Sequence, residues 1–366
     1  MKEILSRPIV LNPDSFVDQA LTPWAGTSIG KNYKSELVEE ISGSPIGESW
    51  EFSVSDDKLA SYDKVSGTTL RECFDFPDLV YGDKLTSKRN EKEDESELLI
   101  KLINTSQRLS FQVHPKDSFE GLAKDECGKA EAWLILETEK GAGVYLGFQQ
   151  GVTKESLSEA LSQDHNVEDL LQFVEVEKYD YIRIPETTPH AIGSGLTLIE
   201  PQLILPGKKG KTYRISDWGR KYDPQGNLCE VGGEYRELHI DKAMKVIEPS
   251  VQSGLDYAKN LIVKPSVREI SENCSIYEYS DTVTSEIFIL KPHDATDVLA
   301  EVVAGFAVIT IASGSLTLKD SFGSAVKAVK GETVFLANAV QKVTFSFDSS
   351  AEIIAIAPEG SEIIFT

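Results

Sequence analysis

The chain has 366 residues, 40% of them hydrophobic, and a formal net charge of -22 at pH 7. That length exceeds what one hydrophobic core usually supports, so two domains, or one large domain with a smaller partner, are expected. The acidic balance argues against nucleic acid and anionic membrane as partners, since both need a basic face to displace counterions.

No apolar run approaches the roughly eighteen residues of a membrane span, and Met1 to Leu5 lack the apolar stretch of an export signal before Pro8. A cytoplasmic protein is expected. Cys73, Cys127, Cys229 and Cys274 show no C-x-x-C spacing, which predicts free, buried thiols in a reducing compartment.

Residues 1–30 are rich in Pro and Gly, and Trp24 sits in a tight Pro-Trp-Ala-Gly loop. The pattern predicts a short helix over 34–41. It then alternates from Glu48, which predicts a strand with Glu48, Trp50 and Phe52 on one face. The run 89–97 has no apolar member and reads as a solvated loop. Next, 98–103 is apolar and Leu109 to His114 alternates, so Gln112 and His114 share a face. A helix carrying Phe119 and Leu122 is predicted over 115–124. The stretch Gly128-Lys129-Ala130-Glu131-Ala132-Trp133 opens another strand, with Lys129 and Glu131 on one face. These pairs converge if the two strands share a sheet.

Thr153 and Ser156 form a partial capping box ahead of Leu157, Leu161, Leu170 and Leu171, which predicts a helical insertion at about 152–172. His165 falls in a turn with no assigned role. Strand patterns return from Phe173. Gly193 and Gly195 predict a turn after His190, from which 196–200 would run back as a hairpin and bring Glu200 near His190. Lys208, Lys209, Lys211 and Arg214 concentrate positive charge in an acidic chain, as an anionic substrate would require; a solvated basic loop is an equal reading. A helix over 236–247 closes a first domain of 1–250, and 251–268 reads as a linker. The last stretch, 269–366, is a series of short alternating runs broken by Gly, which favours a β-sandwich or barrel. His239 reads as structural and His293 as an exposed loop residue.

Gln112, His114, Glu131 and His190 offer one amide oxygen, one carboxylate and two imidazoles, a set that suits zinc with a position left open for water or substrate. Hydrogen-bonded core residues are the competing reading.

Five strings are similar to those of type I mannose-6-phosphate isomerases, and occur in the family's order. They are Ile46-Gly47-Glu48-Ser49-Trp50-Glu51, Leu109 to Pro115, Gly128 to Trp133, Pro189-His190-Ala191-Ile192 and Thr212-Tyr213-Arg214-Ile215-Ser216-Asp217-Trp218-Gly219-Arg220. Leu238-His239-Ile240 also matches. The resemblance implies a mainly β fold of two cupin-like jelly rolls, one bound zinc, and interconversion of mannose 6-phosphate and fructose 6-phosphate through a cis-enediol. It places Gln112, His114, Glu131 and His190 on the metal ligands, Arg214 on the catalytic arginine and Lys129 on a lysine beside the metal. Lys101 and Ser110 fall on the lining of the phosphosugar pocket, and Trp24, Glu48 and Glu200 on further cleft positions, with Glu200 a candidate base beside Lys129 or a metal-bound water. The expected partner is a small phosphosugar, and the chain a monomer or homodimer.

Two departures stand out. A longer basic loop, 203–211, replaces the family's short turn, and the glycine expected before His190 is missing. The C-terminal string Gly331 to Leu336 is cupin-like, yet offers only Gln341-Lys342 where the first domain has His190, so no metal is expected there. A sugar-phosphate-binding or regulatory cupin without activity, or an isomerase for another phosphosugar, are the alternatives.

Overall fold

In the computed structural model, residues 1–55, 57–83, 85, 97–162, 167–229, 231–279 and 283–366 are described. His165 and the charge run before Glu97 lie outside them.

The chain is mainly β. In its first half a six-stranded sheet faces a five-stranded one. The larger sheet runs in the order Ile262–Val263, Tyr181–Ile184, Ala130–Thr138, Leu196–Ile204, Glu97–Thr105, Glu48–Phe52. The smaller runs Tyr213–Ser216, Phe111–Val113, His190–Ile192, Gly143–Phe148, Leu171–Glu175. In the second half a seven-stranded sheet packs on a five-stranded one through Ile309, Leu316, Phe345 and Ile353. There is no closed barrel among the described residues, and no helix is long and apolar enough to cross a membrane.

Two strands show how burial hides periodicity. Thr296–Ala304 alternates between buried and more exposed residues because only one face meets a core. Ala130–Thr138 is buried almost throughout. Its Trp133 and Ile135 enter the core between the first two sheets. Its Ala132, Leu134 and Leu136 enter a second core shared with Phe306, Phe335 and Ile356 of the C-terminal half. Glu131 continues the Trp133 row and so points inward, toward the facing sheet.

The halves are tied by more than apolar packing. Ile9 and Val10 pair with Phe335 and Val334, adding an N-terminal strand to the C-terminal sheet. Lys34 donates to Glu51 at 2.8 Å and to the Gly331 carbonyl at 2.5 Å, and the Thr333 hydroxyl donates to Glu51 at 2.9 Å.

Several local expectations are corrected. The 34–41 stretch forms turns and a short 3-10 segment, Glu39–Ile41, after a wide turn at Ile29–Tyr33. The 115–124 stretch also forms turns, and Phe119 packs against Tyr213. A bulge between Trp50 and Phe52 sends Phe52 into the core, away from the half-exposed Glu48 and Trp50. The 236–247 helix begins only at Ile240. The 251–268 segment holds a helix, Leu255–Asn260, and a strand in the six-stranded sheet. Helix Lys154–Ser162 starts on reciprocal Thr153–Ser156 hydrogen bonds, so Ser does the work of the usual Glu in the box. Cys73, Cys127 and Cys274 are buried free thiols, and Cys229 is half-buried and free.

Candidate functional site

The two sheets of the first half close around apolar side chains, and the polar cluster sits where that filling stops. His190 stands opposite Gln112 in one register and Leu146 in another; His114 follows immediately after the Gln112 strand. On the facing sheet Gln202 stands opposite Glu131, and Glu200 opposite Lys101. Convergence is therefore across the sandwich, not within one sheet. The predicted His190–Glu200 hairpin is corrected for the same reason: the chain changes sheets after Ile192.

Glu131 is the hub. Its Oε2 lies 3.2 Å from His114 Nε2 and 3.3 Å from Lys129 Nζ, and its Oε1 lies 3.2 Å from His190 Nε2. All three of His114, Glu131 and His190 are about 1% exposed. Each imidazole has its outer nitrogen engaged: His114 Nδ1 donates to the Lys211 carbonyl at 3.0 Å, and His190 Nδ1 donates to the Thr188 carbonyl at 2.8 Å. That assignment leaves both Nε2 lone pairs facing Glu131. Gln112 brings its amide 3.3 Å from His190 Nε2, and its other end accepts from Ser110 at 3.1 Å.

Around this hub runs a second carboxylate system. Gln202 donates to Glu131 at 2.9 Å and to Glu200 at 2.6 Å, so one amide bridges two buried acids. Trp133 Nε1 donates to Glu200 at 2.9 Å. Lys101 sits 3.2 Å from Glu48 and 3.6 Å from Glu200. Neither Gln202 nor Trp133 was picked out from sequence, although Gln202 lies two residues beyond Glu200 and shares its face.

The charges follow from these contacts. Burial alone would raise the Glu131 carboxyl, but Lys129 and the two imidazoles outweigh it and hold the group well below the ordinary carboxylate range. For Glu200, burial and then the Glu131 charge prevail, pushing it up to about 7 against the pull of Lys101 and Lys129. Burial and then Lys129 push His114 down to about 4, with Glu131 opposing. Burial would lower Lys101, yet Glu48 and Glu200 hold it above its ordinary value.

Lys101, Lys129 and Gln202 form the floor of a cavity of about 400 Å³, with Trp50, Arg71, Lys208 and Lys209 higher on its walls. The basic loop is thus brought over the cluster. Strand pairing of Lys209–Gly210 with Glu126–Cys127, and a Lys211–Glu126 ion pair of 2.6 Å, hold it there.

Two expected site residues stand elsewhere. Trp24 is buried in the core beside Ile103 and Trp133, beneath the cluster and not on the cavity wall. Arg214 is opposite Gln112 in register, but its guanidinium donates to the Glu237 carbonyl at 2.7 Å. Burial and the neighbouring Arg236 push it down to about 10. His239 Nδ1 accepts from the Arg214 amide at 3.2 Å, a structural role. His293 is exposed, next to Ser275.

The donor set suits a metal ion. One nitrogen from each imidazole and one carboxylate oxygen lie within 4.8 Å of one another; His114 Nε2 and His190 Nε2 each lie 3.2 Å from an oxygen of Glu131, a different one for each, and the Gln112 amide lies 3.3 Å from His190 Nε2. A tetrahedron with metal–ligand bonds of about 2.0 to 2.1 Å has edges of roughly 3.3 to 3.4 Å. His114 Nε2, fully buried, makes no hydrogen bond of good geometry. Reversing the Gln112 amide, whose nitrogen and oxygen are interchangeable in shape, turns its oxygen to the same point.

Fold and site together define a mainly β protein of paired sandwiches with a buried His–Glu–His centre under a lysine-walled cavity. No family model matches the chain. Mannose-6-phosphate isomerase ManA of Bacillus subtilis is 31% identical over 232 residues, 62% of this chain and 65% of that relative, so the match spans just under two thirds of its length. The mannose-6-phosphate isomerase of Streptococcus mutans is 25% identical over 91% of this chain and 93% of its own. The crystal structure of the Bacillus subtilis mannose 6-phosphate isomerase superposes with a TM-score of 0.73 at 22% identity, covering 95% of this chain and 99% of that one. Over most of its length the chain is thus similar to mannose-6-phosphate isomerases, and it shares the fold of one of them.

Proposed function

We propose that this chain interconverts mannose 6-phosphate and fructose 6-phosphate, with a zinc ion held by Gln112, His114, Glu131 and His190. The observation that carries the reading is the buried His114–Glu131–His190 centre at the foot of a cavity walled by Lys101, Lys129, Lys208 and Lys209. An aldose–ketose isomerisation moves one proton between adjacent carbons through a cis-enediol, so it needs a base, a stabiliser for developing oxyanion charge and a hold on the phosphate.

Bound zinc would supply Lewis acidity toward the sugar's carbonyl and hydroxyl oxygens. The chain's own groups supply the rest. Glu200, raised to about 7 by burial and Glu131, is poised to take a carbon-bound proton near neutral pH and return it to the neighbouring carbon. Trp133 and Gln202 fix its two oxygens. Lys129, on the cavity floor 3.3 Å from Glu131, stabilises negative charge that develops on the sugar oxygens. Lys101 and Glu48 orient hydroxyls, and Ser110 fixes Gln112. Arg214 acts on the substrate once it leaves the Glu237 carbonyl.

In this reading residues 1–250 form the catalytic domain and 269–366 a cupin-like domain that packs without a metal. The protein works in the cytoplasm, as a monomer or homodimer, on a small-molecule phosphosugar. Incubation of the protein with mannose 6-phosphate tests it: fructose 6-phosphate is expected, and in deuterated water it carries deuterium on carbon 1 only to the extent that the proton on Glu200 exchanges before it is returned. Absence of conversion by protein loaded with zinc would overturn the proposal and favour a binding role.

A further inference from the structure

Between strand Tyr181–Ile184 and His190 the chain makes a tight turn, Pro185-Glu186-Thr187-Thr188, closed by the Thr188 N–H donating to the Pro185 carbonyl at 3.1 Å. Thr187, third in the turn, sits at φ 72, where type II turns favour glycine. It is the one β-branched residue in that region among the described residues, and a branched side chain makes this backbone conformation costly. This is also the turn that lacks the glycine expected before His190. Something else must hold its shape.

The contacts of Thr187 do so. Its N–H donates to the His114 carbonyl at 2.7 Å, and its own carbonyl accepts from Gln252 Nε2 at 2.7 Å. The next carbonyl, that of Thr188, receives His190 Nδ1 at 2.8 Å. One turn thus meets the backbone of one imidazole of the centre and the ring of the other.

Gln252, only 8% exposed, is itself pinned. Its Oε1 accepts from the Glu248 N–H at 2.7 Å; with an N–H at one end and the Thr187 carbonyl at the other, its amide has a single orientation. Its main-chain carbonyl accepts from the Phe148 N–H at 2.9 Å, and the Gly254 N–H donates to the Phe148 carbonyl at 2.8 Å. Gly147 donates to the Pro189 carbonyl at 2.8 Å, and a Cβ there would stand 2.3 Å from the Gln252 carbonyl. The segment is therefore fastened to strand Gly143–Phe148, the neighbour of the His190 strand. None of these bonds goes to His114, Glu131 or His190, so the influence of Gln252 on the centre passes through the turn.

We propose that Gln252 is a positioning residue for the metal centre: it holds the left-handed Thr187 turn, and through that turn the placement of His114 and the ring of His190. The proposal rests on the zinc reading of the centre. Without the Gln252 donor the threonine relaxes toward an ordinary φ, the Thr188 carbonyl turns, and His190 loses the hydrogen bond that aims its Nε2 at Glu131.

The test compares zinc affinity, by competition with a chromogenic chelator, in wild type, in Gln252→Met, and in the same change made in a Thr187→Gly background. Methionine keeps much of the volume and has no donor. Loss of an outer partner of a metal-bound histidine costs about 10- to 100-fold in affinity, and Gln252 acts one bond further out, so binding about tenfold weaker is expected. Glycine takes a positive φ without strain, so in the Thr187→Gly background the change costs less than about threefold. The visible absorption of the cobalt-loaded protein shifts in Gln252→Met and returns toward that of wild type in the double variant. Gln252→Glu keeps the Glu248 contact but sets an acceptor against the Thr187 carbonyl; it shows the same loss, and carries the test if Gln252→Met does not fold. Wild-type zinc affinity in the folded Gln252 variants, or an equal loss in both backgrounds, would overturn the proposal, the second outcome leaving Gln252 a general support of the fold. Wild type that binds no zinc would overturn the metal centre, and this proposal with it.

Discussion

Replacing Gln202 by Leu removes a single amide that donates to Glu131 at 2.9 Å and to Glu200 at 2.6 Å. Leucine keeps much of the volume, so the loss is in hydrogen bonding. Each bond goes to a carboxylate, and hydrogen bonds to charged groups contribute about 1.5 to 3 kcal/mol. The Glu200 bond favours the ionised form of a carboxyl that burial and Glu131 already raise to about 7. One pKa unit corresponds to about 1.4 kcal/mol, so its loss raises the Glu200 titration by about one to two units. If Glu200 is the base, the acid limb of the kcat/KM profile moves toward higher pH by that amount, and activity at pH 7 falls roughly five- to fifty-fold. The alkaline plateau falls much less. The assay is the isomerase rate from pH 5 to 9 on wild type and Gln202→Leu. An acid limb that stays in place, with activity lost evenly across the range, refutes Glu200 as the titrating group.

Three further outcomes follow from other parts of the molecule. Lys34→Met leaves Glu51, whose side chain is only 2% exposed, without its cation, and should cost about 3 to 5 kcal/mol in denaturant unfolding; Lys34→Met with Glu51→Leu recovers most of it, and a single-variant loss below about 1 kcal/mol contradicts the buried-pair account. Glu200 also makes the metal-free protein pH-sensitive. Its folded value lies above its unfolded one, so the folded state binds the extra proton, and its contribution to stability falls as pH rises from the ordinary glutamate range to about 7; Glu200→Gln flattens that slope in thermal melts, and an unchanged slope contradicts it. Lys208→Ser with Lys209→Ser removes two cations from the cavity wall, so KM for the phosphosugar rises several-fold with little change in kcat, and the salt dependence of KM weakens; an unaltered KM removes the loop from substrate binding.

Much of the site was legible in sequence because its parts lie on short strands, where period two states which residues share a face. Gln112 beside His114, and Lys129 beside Glu131, needed only that rule and the resemblance to a known family. The sheet to which each strand belongs was not legible. A turn marked by Gly193 and Gly195 reads as a hairpin, yet the chain there crosses to the facing sheet, which is what sets His190 opposite Glu131. Gln202 was missed because an amide in an apolar strand gives no signal until its two acidic neighbours are placed in space. Trp24 illustrates the converse. It lies in a string of the right kind, but the structure uses its ring as core filling under the cluster. The 251–268 segment looked like a linker because Gly254 and Ser253 interrupt the pattern; they precede a helix whose buried Ala258 docks on the first core.

The central claim is that the His114–Glu131–His190 centre holds a metal on which phosphosugar isomerisation depends. The most direct measurement strips the protein of metal, assays conversion of mannose 6-phosphate to fructose 6-phosphate, and repeats the assay after zinc is returned, alongside His114→Ala. The account predicts negligible activity without metal, recovery with one zinc per chain, and neither tight zinc binding nor activity in the variant. Full activity in metal-free protein, or zinc-loaded wild type with no activity, would contradict it.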